Sequence, residues 1–303
     1  METLLPRFIE NILPIFITAG TGFLLGKLIE VEPRTISRIT FYIFSPCLVF
    51  KLLSETELQQ NAIIQMIVIA VGSAIIMGLI TFLITKLLKF ERKMIAAIML
   101  TTMLVNAGNY GLALNDYAFG KDALAYASIY FVASGTTIYT LGVIVASMGK
   151  ASLKDSFLGI FRLPILYALL LALVCRQMSW NLPTPIQRPI DLLGQAAVPG
   201  MLVLLGLQLQ RARWGSLGWA IGIASGIRLL ISPLVAFGLS LPFTLQGPAL
   251  QAGITEASMP SAVMGTVLAT EYDVEPAFVT TVVTVTTLLS PLTLTPLLAF
   301  LGG

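Results

Sequence analysis

The sequence predicts an all-α polytopic membrane protein: ten transmembrane helices in two inverted five-helix repeats, with helices 4 and 9 broken and crossing. Three observations predict it. The chain is 56% hydrophobic and 11% charged, whereas soluble domains carry about 25% charged residues. Apolar runs recur from end to end, each of about 20 residues and so long enough to cross a hydrocarbon core about 30 Å thick. Prolines then repeat at a near-constant offset: Leu13-Pro14 returns as Leu163-Pro164 and Pro33 as Pro183, both 150 residues on, and Pro46 returns as Pro199 after 153. Ala125-Tyr126 resembles Ala277-Phe278 at an offset of 152. Halves of five spans enter a bilayer in opposite senses because five is odd, which makes the repeat inverted.

Taken in order, the first five spans are Phe8–Ile29, Arg34–Leu53, Ala62–Leu88, Arg92–Tyr117 and Asp122–Met148. After a short polar linker come Phe157–Met178, Gln187–Leu209, Ser216–Leu241, Leu245–Thr270 and Glu275–Leu301. Breaks fall at Glu-Pro-Arg (32–34), the Lys/Arg cluster (86–93), Asn181 to Pro185 and Gly-Ser (215–216). The first run lacks a separate charged region and cleavage site and reads as a retained span. With the N-terminus outside, inner loops hold Lys27, Arg34, Lys86, Lys89, Arg92, Lys93, Lys150, Lys154, Arg211 and Arg213. The outer side holds Arg7, Lys51, Lys121, Arg176 and Arg188, so the positive-inside rule places both termini outside a cell membrane.

Composition also excludes function classes. There is no histidine and no CxxC, which rules against zinc, haem and redox chemistry; Cys47 and Cys175 read as small packing residues. No cofactor is expected. A net charge of +3 gives no reason to expect nucleic acid. Neither GxSxG nor paired intramembrane aspartates occur, so an intramembrane enzyme is not expected.

Asn106-Ala107-Gly108-Asn109-Tyr110-Gly111 interrupts the fourth span with two carboxamides, two glycines and a phenol. In hydrocarbon such backbone survives where it lines a protein cavity. At the repeat offset it falls opposite Ser258-Met259-Pro260-Ser261, where Pro260 removes a backbone donor from the ninth span. Crossing breaks bring four half-helix ends together, and helix N-termini suit an anion. Asn106, Asn109, Tyr110 and Ser261 are the expected substrate contacts, with Gly108 admitting close backbone approach and Pro260 shaping the break. Alternatively, Asn and Gly there serve helix packing.

Glu256 lies mid-span, four residues before Pro260, so the expectation is a free Glu256 carbonyl beside its carboxylate, fit for Na+ or a proton. Alternatively Glu256 is a protonated core residue or one half of an ion pair. Arg228, mid-way along the eighth span, is either its salt-bridge partner or a direct substrate contact. In the Thr-rich tenth span, Thr284 and Thr287 are candidate cation ligands, since Pro291 frees the Thr287 carbonyl; the plainer alternative is that these hydroxyls bond their own helix. Ser134 and Thr137 are weaker candidates in the fifth span. Pro46 and Pro199 are expected to bend their spans, Arg38 and Arg162 to snorkel, and Asp191 to pair with Arg188.

These pieces resemble the auxin efflux carrier family in its short bacterial form. The resemblance rests on Asn106–Gly111, on Ser45-Pro46-Cys47-Leu48-Val49-Phe50 and on Ala197-Val198-Pro199…Leu205-Gly206-Leu207-Gln208-Leu209. It implies a fold like that of the bile-acid:sodium symporters. Residues 1–60 (helices 1–2) and 150–214 (helices 6–7) would then form a scaffold, and 61–149 (helices 3–5) and 215–303 (helices 8–10) a mobile core. Glu256 resembles the ninth-helix glutamate that binds cations in the sodium symporters. Asn109-Tyr110-Gly111 stands where the family carries a proline in the fourth span. The implied function is secondary transport of a small organic anion, a carboxylate or auxin-like molecule, by alternating access with Na+ or H+ coupling. Uncoupled potential-driven export and a channel are the alternatives, and a homodimer through the scaffold helices is compatible with this plan.

Overall fold

The computed structural model describes residues 4–56, 58–148, 158, 160–180, 182–211, 218–243 and 245–302. Lys150, Lys154, Arg213, Asn181, Gly215 and the expected span starts at Phe157 and Ser216 lie outside the described residues. Among the described residues every named element is helical, and the one β-type pairing is an isolated antiparallel bridge between Val105 and Ser261.

The helices are α1 (Leu4–Leu28), α2 (Pro33–Glu55), α3 (Gln60–Leu87), α4 (Arg92–Met103), α5 (107–119) and α6 (121–146). The second half gives α7 (Pro164–Gln177), α8 (Thr184–Gln210), α9 (Gly218–Ser240), α10 (Gly247–Ala257), α11 (Val263–Glu271) and α12 (Pro276–Leu301). Among the described residues seven helical stretches are long and apolar enough to cross a membrane: α1, α2, α3, the α5–α6 stretch, α8, α9 and α12. Between α5 and α6 the chain turns on Gly120 alone (φ 79°), a dihedral that glycine adopts without steric strain.

Prolines shape the long helices by a common device. Wide π-type turns at Phe8–Ile12, Thr40–Phe44 and Ile227–Ile231 each precede a proline, at Pro14, Pro46 and Pro233. A proline has no N–H to give and its ring clashes with the carbonyl four residues back, so the preceding turn widens instead of breaking. Ser45 Oγ takes up the slack by donating to Thr40 O at 2.8 Å. In α8 the helix instead departs from regular geometry at Ala196, whose N–H reaches back three residues to the Leu193 carbonyl at 3.2 Å, three residues before Pro199. Irregular turns thus lie just before Pro46 and Pro199, where bends were expected.

Packing is densest within two groups. α1 lies on α8, and α2 on α7 and α8; α3 packs on α4, on the α5–α6 stretch and on α9, while α10 covers the α5–α6 stretch and α12 covers α11 and α4. The α1–α8 contact is set by glycines: a Cβ on Gly22 would strike the Val203 carbonyl, and one on Gly206 the Ala19 carbonyl. Small residues let two backbones approach where burial of apolar surface supplies no drive between helices. Arg38 and Arg162 are exposed, as snorkelling requires. Asp191 differs from expectation: its carboxylate takes a 2.9 Å hydrogen bond from Gln187 and lies 3.8 Å from Lys51 Nζ, because position 187 is one helical turn back and α2 runs alongside.

Candidate functional site

α4 ends at Met103 and α5 opens at Ala107; α10 ends at Ala257 and α11 opens at Val263. The two gaps run antiparallel past each other. Asn106 N donates to Pro260 O at 2.9 Å, and Ala262 N donates to Leu104 O at 2.8 Å. Each interrupted helix therefore satisfies the backbone groups that the other leaves open, where an unpaired group is costly. The expected crossing is formed, but its first strand lies earlier than the sequence suggested. The non-helical residues are Leu104-Val105-Asn106, while Ala107–Gly111 is the first, wide turn of α5, closed by Gly111 N on Asn106 O at 3.1 Å. Glycines permit a break; here the position of the break is set by what Pro260 and Ala262 offer across the gap.

Ser261 is fully buried, its Oγ donating to Thr101 O at 2.6 Å and its N–H to Thr286 Oγ1 at 3.2 Å. The threonine of α12 that touches the crossing is therefore Thr286. Thr284 and Thr287 donate to their own helix, at Thr280 O (2.9 Å) and Val283 O (2.7 Å), and the Thr287 carbonyl freed by Pro291 accepts from Ser290 Oγ at 2.8 Å. Ser134 and Thr137 likewise bond within α6.

Arg228 is 1% exposed and reaches the crossing from α9. Its Nε donates to Met259 O at 2.8 Å, one terminal nitrogen to Thr102 O at 2.7 Å, and the other to Ala257 O. These carbonyls belong to the C-terminal ends of α4 and α10, where helix dipoles place negative charge. Ser232, one turn on from Arg228, adds a 2.5 Å hydrogen bond to Ala257 O. The expected Arg228–Glu256 salt bridge is not among the ion pairs of the described residues. Main-chain carbonyls hold the guanidinium instead.

Glu256, 0% exposed, accepts at Oε1 from Asn115 Nδ2 at 3.1 Å, and Asn115 also donates to Gly111 O at 2.9 Å. Glu256 Oε2 and Asn115 Oδ1 have no hydrogen-bond partner among the described residues. The Glu256 carbonyl expected to be free is taken by Met259 N at 3.2 Å, since the chain tightens into a three-residue turn ahead of Pro260.

The α5 side is uneven. Asn106, 5% exposed, carries a side-chain Nδ2 with no partner among the described residues. Asn109 is half-buried and donates to Gln208 Oε1 of α8 at 3.3 Å. Tyr110 is enclosed: its hydroxyl lies 3.3 Å from Ser290 Oγ, and the Phe16 ring meets it edge-on at 6.1 Å. Gly108 leaves room for Phe131, whose ring a Cβ would strike. Two clefts, of ≈ 540 and ≈ 670 Å³, open elsewhere, at the ends of α2, α7 and α8 around Ser54, Glu55 and Arg176. Neither is lined by a residue of the crossing.

The profile of a family described as membrane transport protein matches residues 7–157 and again 148–298. The chain belongs to the auxin efflux carrier family of membrane transporters. It is similar to an "Uncharacterized transporter" of Methanothermobacter thermautotrophicus, 29% identical over 93% of this chain and 94% of the relative. It is 28% identical to a "Putative malonate transporter" of Rhizobium meliloti over 95% of this chain and 93% of that one. The "Auxin efflux carrier component 6" of Arabidopsis thaliana is 28% identical over 58% of this chain and 31% of the plant protein. Three residues of this family member's crossing escaped the sequence reading: Asn115, Thr286 and Gln208. Asn115 and Gln208 had a signal, each an amide within an apolar span; Thr286 is indistinguishable in sequence from the helix-bonded threonines beside it.

Proposed function

We propose that the protein is a secondary transporter of a small organic anion, working by alternating access, with the crossing as its substrate site. The observation that carries the reading is the Asn106 Nδ2, buried and without a hydrogen-bond partner among the described residues at the opening of α5. A donor held dry beside a helix N-terminus favours an incoming anion. Asn109, Pro260 and Ser261 complete the site; Arg228 acts through the carbonyls it holds, and Tyr110 by packing. Malonate is the first substrate to try, by analogy with the name of the rhizobial relative.

Joining α4 to α5 and α10 to α11 as two interrupted passes gives ten passes in two inverted halves, both termini outside. The double match of the family profile and the two densely packed groups support that plan, with α1, α2, α7 and α8 as scaffold and the rest as moving core. Glu256 is the coupling group. Among the described residues Glu256 Oε2 and Asn115 Oδ1 are acceptors without a hydrogen-bond partner and Glu256 forms no ion pair, a deficit that a proton or Na+ would satisfy.

Reconstitution tests this. Saturable, counterflow-stimulated malonate uptake that responds to Na+ or pH, and loses that response in Glu256→Gln, is the expected result. Flux without saturation or counterflow would mean a channel. Saturable transport indifferent to Na+ and pH would mean uncoupled, potential-driven export.

A further inference from the structure

We infer that Gln208 of α8 competes with the substrate for Asn109, its carboxamide oxygen holding the place that a substrate carboxylate oxygen takes on binding. The inference rests on the crossing being the substrate site. Asn109 is half-buried, and its Nδ2 donates to Gln208 Oε1 at 3.3 Å. No other hydrogen bond of the Asn109 side chain is formed among the described residues. The contact joins the two packing groups: Asn109 belongs to α5, while Gln208 belongs to α8, which lies on α1.

An amide oxygen is a weaker acceptor than a carboxylate, whose charge-assisted hydrogen bonds are roughly twice as strong. A carboxylate therefore displaces Gln208, whereas a neutral amide or ester of similar shape exchanges one neutral acceptor for another and gains little. The release also removes this polar tie between the α5 opening and α8, leaving their packing contact. Substrate binding and the sliding of one group past the other thus draw on the same hydrogen bond. Phe16 of α1 covers neighbouring Tyr110 by ring contact alone, which distinguishes no donor or acceptor.

The test uses the full-length protein in detergent with Gln208→Leu, which removes the acceptor at similar volume, and Gln208→Glu, which keeps an acceptor and adds charge. Amide hydrogen exchange of residues 104–111, measured with no ligand, should quicken about three- to tenfold in Gln208→Leu, the effect of one modest hydrogen bond. In Gln208→Glu it should be no faster than in wild type, and slower to the extent that the carboxylate is the stronger acceptor. Malonate affinity should rise by a similar factor in Gln208→Leu and fall in Gln208→Glu. Unchanged exchange in Gln208→Leu overturns the inference whatever the substrate is. Weaker malonate binding by Gln208→Leu than by wild type makes Gln208 a binding residue and overturns the competition. Faster exchange in Gln208→Leu with no carboxylate bound by any form refutes the substrate reading, and the competition with it.

Discussion

The carboxylate of Glu256 lies against the α-carbon of Gly111, so close that a Cβ at position 111 would fall on the carboxylate itself. Asn115 ties the pair together, donating both to the Gly111 carbonyl and to Glu256 Oε1. The glycine of the α5 opening is thus the cradle of the one acidic side chain buried at the crossing.

Gly111→Ala should consequently lower the thermal midpoint in detergent, by about 1–3 kcal/mol of overpacking. Combining it with Glu256→Ser should restore part of the loss, because the shorter side chain makes room. A double variant no more stable than Gly111→Ala would disprove the contact.

Arg228→Met should be the most damaging single change at the crossing. It takes their guanidinium donor from the Thr102 and Met259 carbonyls and leaves the Ala257 carbonyl with Ser232 alone, and each buried carbonyl left unsatisfied costs about 1–3 kcal/mol. Arg228→Lys should recover only part, since a single ammonium cannot match a planar fork spread over three acceptors. Thermal unfolding of the three proteins side by side checks the order wild type, lysine, methionine.

At the border of the core, Lys93 Nζ meets Asp273 Oδ2 at 2.8 Å. The hydrogen bond from Lys93, then its positive charge, hold the Asp273 carboxyl below its usual range. A depressed folded value means a contribution present above the ordinary carboxylate pKa and lost as pH falls through the lowered one. Both side chains are exposed, 50% and 85%, so screening leaves little. Asp273→Asn should unfold close to wild type at neutral pH, and the small gap should close in acid or high salt. A large gap that survives acid would contradict this.

Gly206→Val should disrupt the α1–α8 contact, because its side chain meets the Ala19 carbonyl, whereas Gly222→Ala, with nothing within 4 Å of its Cβ, should be tolerated. The yield of monodisperse protein after solubilisation separates the two. Equal yields would show that these helices do not need the glycine.

Much of this arrangement could be read from residues alone, because prolines and glycines act locally. Pro46, Pro199 and Pro260 each announce a disturbance that the backbone shows, and the break near Pro260 falls where it was expected. What escaped depends on partners distant in sequence. The fourth-span break sits at Leu104–Asn106 because Pro260 and Ala262 pair there, and no propensity of residues 104–106 encodes that. Arg228 and Glu256 invite pairing by charge, yet helix-end carbonyls outcompeted the carboxylate for the guanidinium. Thr286 differs from Thr284 and Thr287 only by which face of α12 meets Ser261.

The Val105–Ser261 bridge carries a consequence for how the chain is made. Its partners are 156 positions apart (261 − 105), so at ordinary translation speeds the later one is synthesised roughly 8–30 s after the earlier. Through that interval the Asn106 N–H and the Leu104 carbonyl lack the partners they have in the folded chain, and a nascent first half carries an open seam between α4 and α5. The C-terminal half closes that seam on arrival. A truncated first half should accordingly be a substrate for membrane quality control, and supplying the second half as a separate polypeptide should rescue it.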